Sequence, residues 1–135
     1  MNQKQQAIMP AQLPPGPAER TMYSYGVRAG DFLHISGMVA FDQEANIVGI
    51  DDIEAQTDQV FQNLQAVVEE AGGFLENIIS TTTYLVDVTD APVVNIARGR
   101  YFTGKVLPTH TVVGVAALAR PEFLVEISAV AYLGA

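Results

Sequence analysis

The stretch FLVEISAVAYL, residues 123–133, has the length and composition of a β-strand, yet it lacks the usual alternation of apolar and polar residues. Taking every second residue, Phe123, Val125, Ile127, Ala129 and Ala131 form one row, and Leu124, Glu126, Ser128 and Val130 form the other. Both rows read as buried. A sheet that carries such a strand needs cover on both faces.

Working outward, HTVVGVAAL (110–118) is a further strand, separated from the first by Ala119-Arg120-Pro121-Glu122 and expected to pair with it as a hairpin. Near the other end of the chain, TMYSYGVRAGDFLHISGMVAF (21–41) holds two β-runs around the turn Arg28-Ala29-Gly30-Asp31, a second hairpin. Between the hairpins Ile53, Val60, Phe61, Leu64, Val67, Val68 and Ala71 recur at helical spacing. Asp51 or Asp52 can cap that helix, and Gly72-Gly73 stops it. A strand over 78–88, rich in β-branched residues, and a shorter helix over 91–103 with Pro92 near its start complete the pattern.

The order ββαβαββ predicts an α+β fold, with two helices on one face of a largely antiparallel or mixed sheet. Two helices cover one face only. A second copy of the chain is the simplest cover for the other, so a homo-oligomer is expected, with sites between subunits.

Pro10, Pro14, Pro15 and Pro17 break any regular pattern in the first twenty residues. The reading is therefore a Pro-rich arm over 1–20, without a strand, followed by one domain over 21–135. At 135 residues and 49% hydrophobic content, a single domain buries roughly two thirds of its unfolded surface. Fifteen acidic residues against seven basic ones give a net charge of −8, which repels nucleic acid and anionic membranes. With no cysteine there is no disulfide, thiol nucleophile or thiolate metal site. The N-terminal segment lacks the apolar core of a signal peptide or membrane span, so a cytoplasmic location is expected.

Candidate chemistry rests on few residues. Glu126 sits among apolar neighbours, where an unpartnered carboxylate is costly or has a raised pKa. It is either a structural carboxylate bound to a cation or to amides, or a group that handles a proton or water. His110 and His34 are each readable as strand histidines satisfied by a neighbouring carbonyl. Their spacing matches no metal motif, and no metal is expected. Ser36-Gly37 within a strand marks a bulge or a close approach of backbone to ligand. Nucleophile-elbow, P-loop and dinucleotide signatures are absent.

The ordered set MYSYGV, FLHISGMVAF, DIEAQTDQVFQNLQAVVEEAGG, TTTYLVDVTDAPVVN, RYF, LPTHTVVGVAAL and FLVEISAVA resembles the reactive intermediate deaminase family (Rid, also called YjgF) from about Tyr23 to Leu133. The resemblance implies a chorismate-mutase-like fold, a homotrimer with three inter-subunit clefts, and hydrolysis of imines and enamines such as 2-aminoacrylate to 2-keto acids and ammonia without a cofactor. It further implies that Tyr23, Ser36, Gly37, Asn95 and Val112 line the cleft for a small-molecule ligand, and that Glu126 attends the hydrolytic water.

One position departs from the family pattern. The family's P-[AT]-R-[ST] segment, whose arginine holds the substrate carboxylate, reads Pro108-Thr109-His110-Thr111 here. A guanidinium offers a carboxylate two parallel donors, an imidazole one per ring nitrogen. Losing one charge-assisted bond, worth about 1.5–3 kcal/mol, weakens binding roughly 10- to 150-fold. Three readings follow: an imine or enamine deaminase of shifted substrate class, a hydrolase of a different small molecule using His110 and Glu126, or a non-catalytic metabolite-binding or chaperone-like trimer. Arg98, three residues from Asn95, reads as a solvated surface arginine or as compensation for the missing one.

Overall fold

The computed structural model describes residues 4–15 and 22–134. The elements are β1 (Gln5–Ile8), β2 (Gly26–Ala29), β3 (Phe32–Met38), α1 (Ile53–Glu70), β4 (Ile78–Leu85), α2 (Ala91–Tyr101), β5 (Thr109–Gly114) and β6 (Val125–Tyr132). They form one six-stranded sheet in the order β1-β2-β3-β6-β4-β5, with α1 packed on β3, β6 and α2. Every pairing is antiparallel except β4 with β5. This is an α+β fold with a mixed sheet.

The helices begin and end for local reasons. The Asp52 carboxylate accepts from the Ala55 amide at 3.1 Å, capping α1, and after Ala71 the chain turns at Gly72, whose φ of 92° suits a residue without Cβ. Val60, Phe61, Leu64, Val67 and Val68 of α1 are all fully buried, each contributing about 1.5–3 kcal/mol by leaving water. The β2–β3 hairpin forms around Gly30 at φ 62°, as its turn residues require.

Two expectations fail. The segment expected to be free of strand contains β1, which pairs with β2, while Ile8 and Leu13 join the core at 3% and 2% exposure. All four prolines follow β1, so none removes an amide from its ladder. The Tyr25 hydroxyl donates to the Pro14 carbonyl at 2.7 Å and ties the segment down. The domain start expected at Thr21 lies outside the described residues. The terminal hairpin is also absent: β5 runs parallel to β4 at the sheet edge, and β6 inserts between β3 and β4. Insertion there buries the Val125–Ala131 row, which an edge hairpin would leave half covered.

The register separates the faces. Leu33, Ile35, Thr81, Thr83, Val125, Ile127, Ala129 and Ala131 lie on the buried helix side. On the opposite side, His34, Ser80, Thr82, Tyr84, Glu126, Ser128 and Val130 stay half-buried or exposed within one chain.

Gln56 links α1 to the segment that leads into β6. Its side chain is fully buried, its Nε2 donating to the carbonyls of Gly49 (3.1 Å) and Glu122 (2.8 Å) while its Oε1 accepts from the Leu124 amide (2.9 Å). Gln56→Met keeps the volume but strands these groups, and urea unfolding is expected to show a loss of about 1–3 kcal/mol.

Candidate functional site

Strand β3 breaks its register with β6 between Ile35 and Met38, so the Ser36-Gly37 pair forms a bulge beside Glu126. A Cβ on Gly37 would come within 2.7 Å of the Glu126 Cδ, so only glycine lets that carboxylate lie across the bulge. The Ser36 hydroxyl donates to the Ser24 carbonyl at 2.7 Å and its amide to the Tyr25 carbonyl at 2.9 Å, which fixes the bulge against the segment bearing Tyr23. Tyr23 in turn packs edge-on to Tyr25 at 6.1 Å. Together Tyr23, Ser36, Gly37, Val39, Ala119 and Glu126 line an open pocket of about 310 Å³.

Glu126 has no hydrogen-bond or ion-pair partner among the described residues. Burial alone raises its pKa above the ordinary 4.5. The structural reading, a carboxylate held by a cation or amides, thus finds no such group among the described residues.

Residues implied for the same cleft lie elsewhere. Asn95 and Arg98 of α2 and His110 of β5 line a second pocket, of about 320 Å³, with Gly99, Phe102, Leu107 and Pro108. His110 is paired with Thr81 and Val112 with Thr83, so both point to the helix side, whereas Glu126 is paired with Tyr84 on the other. In one chain, therefore, His110 and Glu126 occupy opposite faces of the sheet and cannot act on one molecule. Val112 lies on the His110 face but lines neither pocket.

Arg98 is not a solvated surface residue. It is buried at 9% exposure, its Nη1 donating to the Thr81 hydroxyl at 2.9 Å and its Cζ lying 5.1 Å from the centre of the Phe102 ring. Phe102 follows it by one helical turn, a spacing visible in the sequence; the burial is not, because it depends on β4 passing beneath. Partial burial and then the charge of Arg98 lower the pKa of His110 below its usual 6.5, the opposite of the rise that a nearby Glu126 would cause. Among the described residues no three His, Asp or Glu side chains gather as metal ligands, and no helix is long and apolar enough to cross a membrane.

This small α+β chain has a bulged strand under a lone carboxyl and, on its other face, a second pocket lined by Asn95, Arg98 and His110. The sequence profile described as Endoribonuclease L-PSP matches residues 15–133. A RutC family protein of Synechocystis sp. is 40% identical over 118 residues, 87% of this chain and 90% of that one. Among solved structures, the Rid family protein YyfA of Yersinia pestis, described as of unknown function, superposes with a TM-score of 0.87 at 29% identity, covering 95% of this chain and 98% of that one. The YjgF gene product of E. coli gives 0.84 at 28% identity, with coverage of 94% and 98%. The chain belongs to the Rid/YjgF family and has its chorismate-mutase-like fold. Membership supports a deaminase-like or endoribonuclease-like role in general.

Both unusual pKa values have checkable consequences. His110 is expected to titrate below 6.5 by NMR, and Arg98→Met to move its midpoint upward by removing a like charge. For Glu126 the folded state binds more protons than the unfolded above pH 4.5, so this group's contribution to stability falls as pH rises from there through its folded pKa. Glu126→Gln is therefore expected to raise Tm at pH 7, the gain shrinking to nothing as the pH approaches 4.5.

Proposed function

We propose that the protein is a hydrolytic deaminase of small reactive imines or enamines, acting as a homotrimer whose clefts lie between subunits. The observation that carries this reading is the half-buried, unpartnered Glu126 carboxyl facing an open pocket, its pKa raised by burial. A carboxyl with a raised pKa is a better proton acceptor at neutral pH than an ordinary one. In the proposed reaction the Glu126 carboxylate takes a proton from water as the water oxygen bonds to the imine carbon. The resulting carbinolamine receives protons at nitrogen, the C–N bond breaks, and ammonia leaves as the carbonyl forms. One water is consumed for each ammonia released, and no cofactor is needed.

The placement of the residues supports a site shared between copies. The sheet face that bears Glu126 lacks cover in one chain, and Val27, Val113 and Tyr132 are exposed apolar residues of the sheet. A neighbouring copy that brings its Asn95–His110 pocket to this face completes a cleft that neither copy holds alone. The net charge of −8 argues against RNA as the substrate.

The protein is expected to accelerate ammonia release from 2-imino acids generated in situ by an amino acid oxidase. Rates equal to spontaneous hydrolysis across several side chains would defeat the reading. Glu126→Gln should cut kcat by about 10²–10⁴-fold with the oligomer intact, whereas an unaffected rate would favour a non-catalytic role. Co-assembling Glu126→Gln subunits with Asn95→Ala/His110→Ala subunits should recover roughly a quarter of the wild-type rate, the share of clefts that draw both intact halves. Recovery of none would defeat the shared cleft.

A further inference from the structure

Tyr25 is buried at 1% exposure, and its side chain and backbone reach three separate parts of the molecule. The hydroxyl donates to the Pro14 carbonyl at 2.7 Å. Its ring meets Tyr23 edge-on at 6.1 Å, and Phe41 at the same distance. Its carbonyl accepts from the Ser36 amide at 2.9 Å, while the neighbouring Ser24 carbonyl accepts from the Ser36 hydroxyl. One residue therefore joins the N-terminal arm to Tyr23 and to the Ser36-Gly37 bulge, both of which line the Glu126 pocket.

The arm is itself well anchored. β1 pairs with β2, Ile8 and Leu13 lie in the core, and the Gln43 Nε2 donates to the Ala11 carbonyl at 2.8 Å. Because Pro15 follows it, Pro14 is confined to extended backbone, which gives its carbonyl a set direction and the Tyr25 hydroxyl a rigid acceptor. Tyr23, in contrast, is 40% exposed, and no hydrogen bond among the described residues holds its hydroxyl. Its ring is set by the ring of Tyr25, which is set in turn by the arm.

We propose that Tyr25 is a positioning residue: its bond to Pro14 clamps the arm onto the sheet and so holds the Tyr23 ring and the bulge in the geometry that binds ligand beside Glu126. The inference rests on reading that pocket as the ligand site. The clamp acts on binding rather than on chemistry, because Tyr25 is not among the residues that line the pocket.

The test uses the full-length assembled protein. Tyr25→Phe keeps the ring contacts and removes only the hydroxyl, whereas Gln43→Ala loosens the arm at an exposed position and leaves every tyrosine intact. In ammonia release from 2-imino acids, Tyr25→Phe is expected to raise KM roughly 2- to 12-fold, the span of one neutral hydrogen bond, with kcat within about twofold. Gln43→Ala should raise KM by less. With 3-fluorotyrosine in place of tyrosine, and Tyr23 assigned through Tyr23→Phe, the Tyr23 fluorine resonance should narrow in Tyr25→Phe and move toward that of the free amino acid. A merely structural tie would lower Tm in both variants while KM and this resonance kept their wild-type values, and that result overturns the proposal. If Tyr25→Phe does not assemble, Gln43→Ala decides by the same two readings. The outcome separates from the hydrolysis reading: where no imine releases ammonia, the fluorine resonance alone judges the clamp, whereas ammonia release with an unchanged KM defeats only the clamp.

Discussion

The structure depends on one placement, the insertion of β6 between β3 and β4. A strand paired on both edges has all its backbone groups satisfied, and its two rows of side chains must then be covered from above and below. The helices cover the row that runs from Val125 to Ala131. The other row carries Glu126 onto a face that one chain leaves open. Gln56 reinforces the insertion by binding both Glu122 and Leu124 at the entrance to the strand. Core packing and the position of the acid are therefore consequences of the same strand.

Charge is distributed with equal economy. A carboxyl and a guanidinium, each partly or largely removed from water, lie on opposite faces of one sheet and do not neutralise one another. Both lack an ion-pair partner among the described residues. Unpaired buried charges of opposite sign are unfavourable in an isolated chain. His110, beside Arg98 and shielded in part from water, is driven toward the neutral form.

Sequence alone determined the number and kind of most elements, because helical periodicity in Ile53–Ala71 and β-branched density in Ile78–Leu85 are local properties. It also showed that Glu126 is an acid among apolar neighbours and that Ser36-Gly37 interrupts a strand. Strand β1 escaped because prolines dominate its surroundings, although all of them follow it. Only the tertiary structure decided which strands pair, which face each side chain takes, and that Arg98 is buried. Those outcomes depend on contacts between residues far apart in the chain: Arg98 with Thr81, Glu126 with Gly37, β6 with β3 and β4. In LPTHTVVGVAAL, spacing places the histidine on a strand, but it is the parallel pairing with β4 that sets it beside a guanidinium and away from the acid.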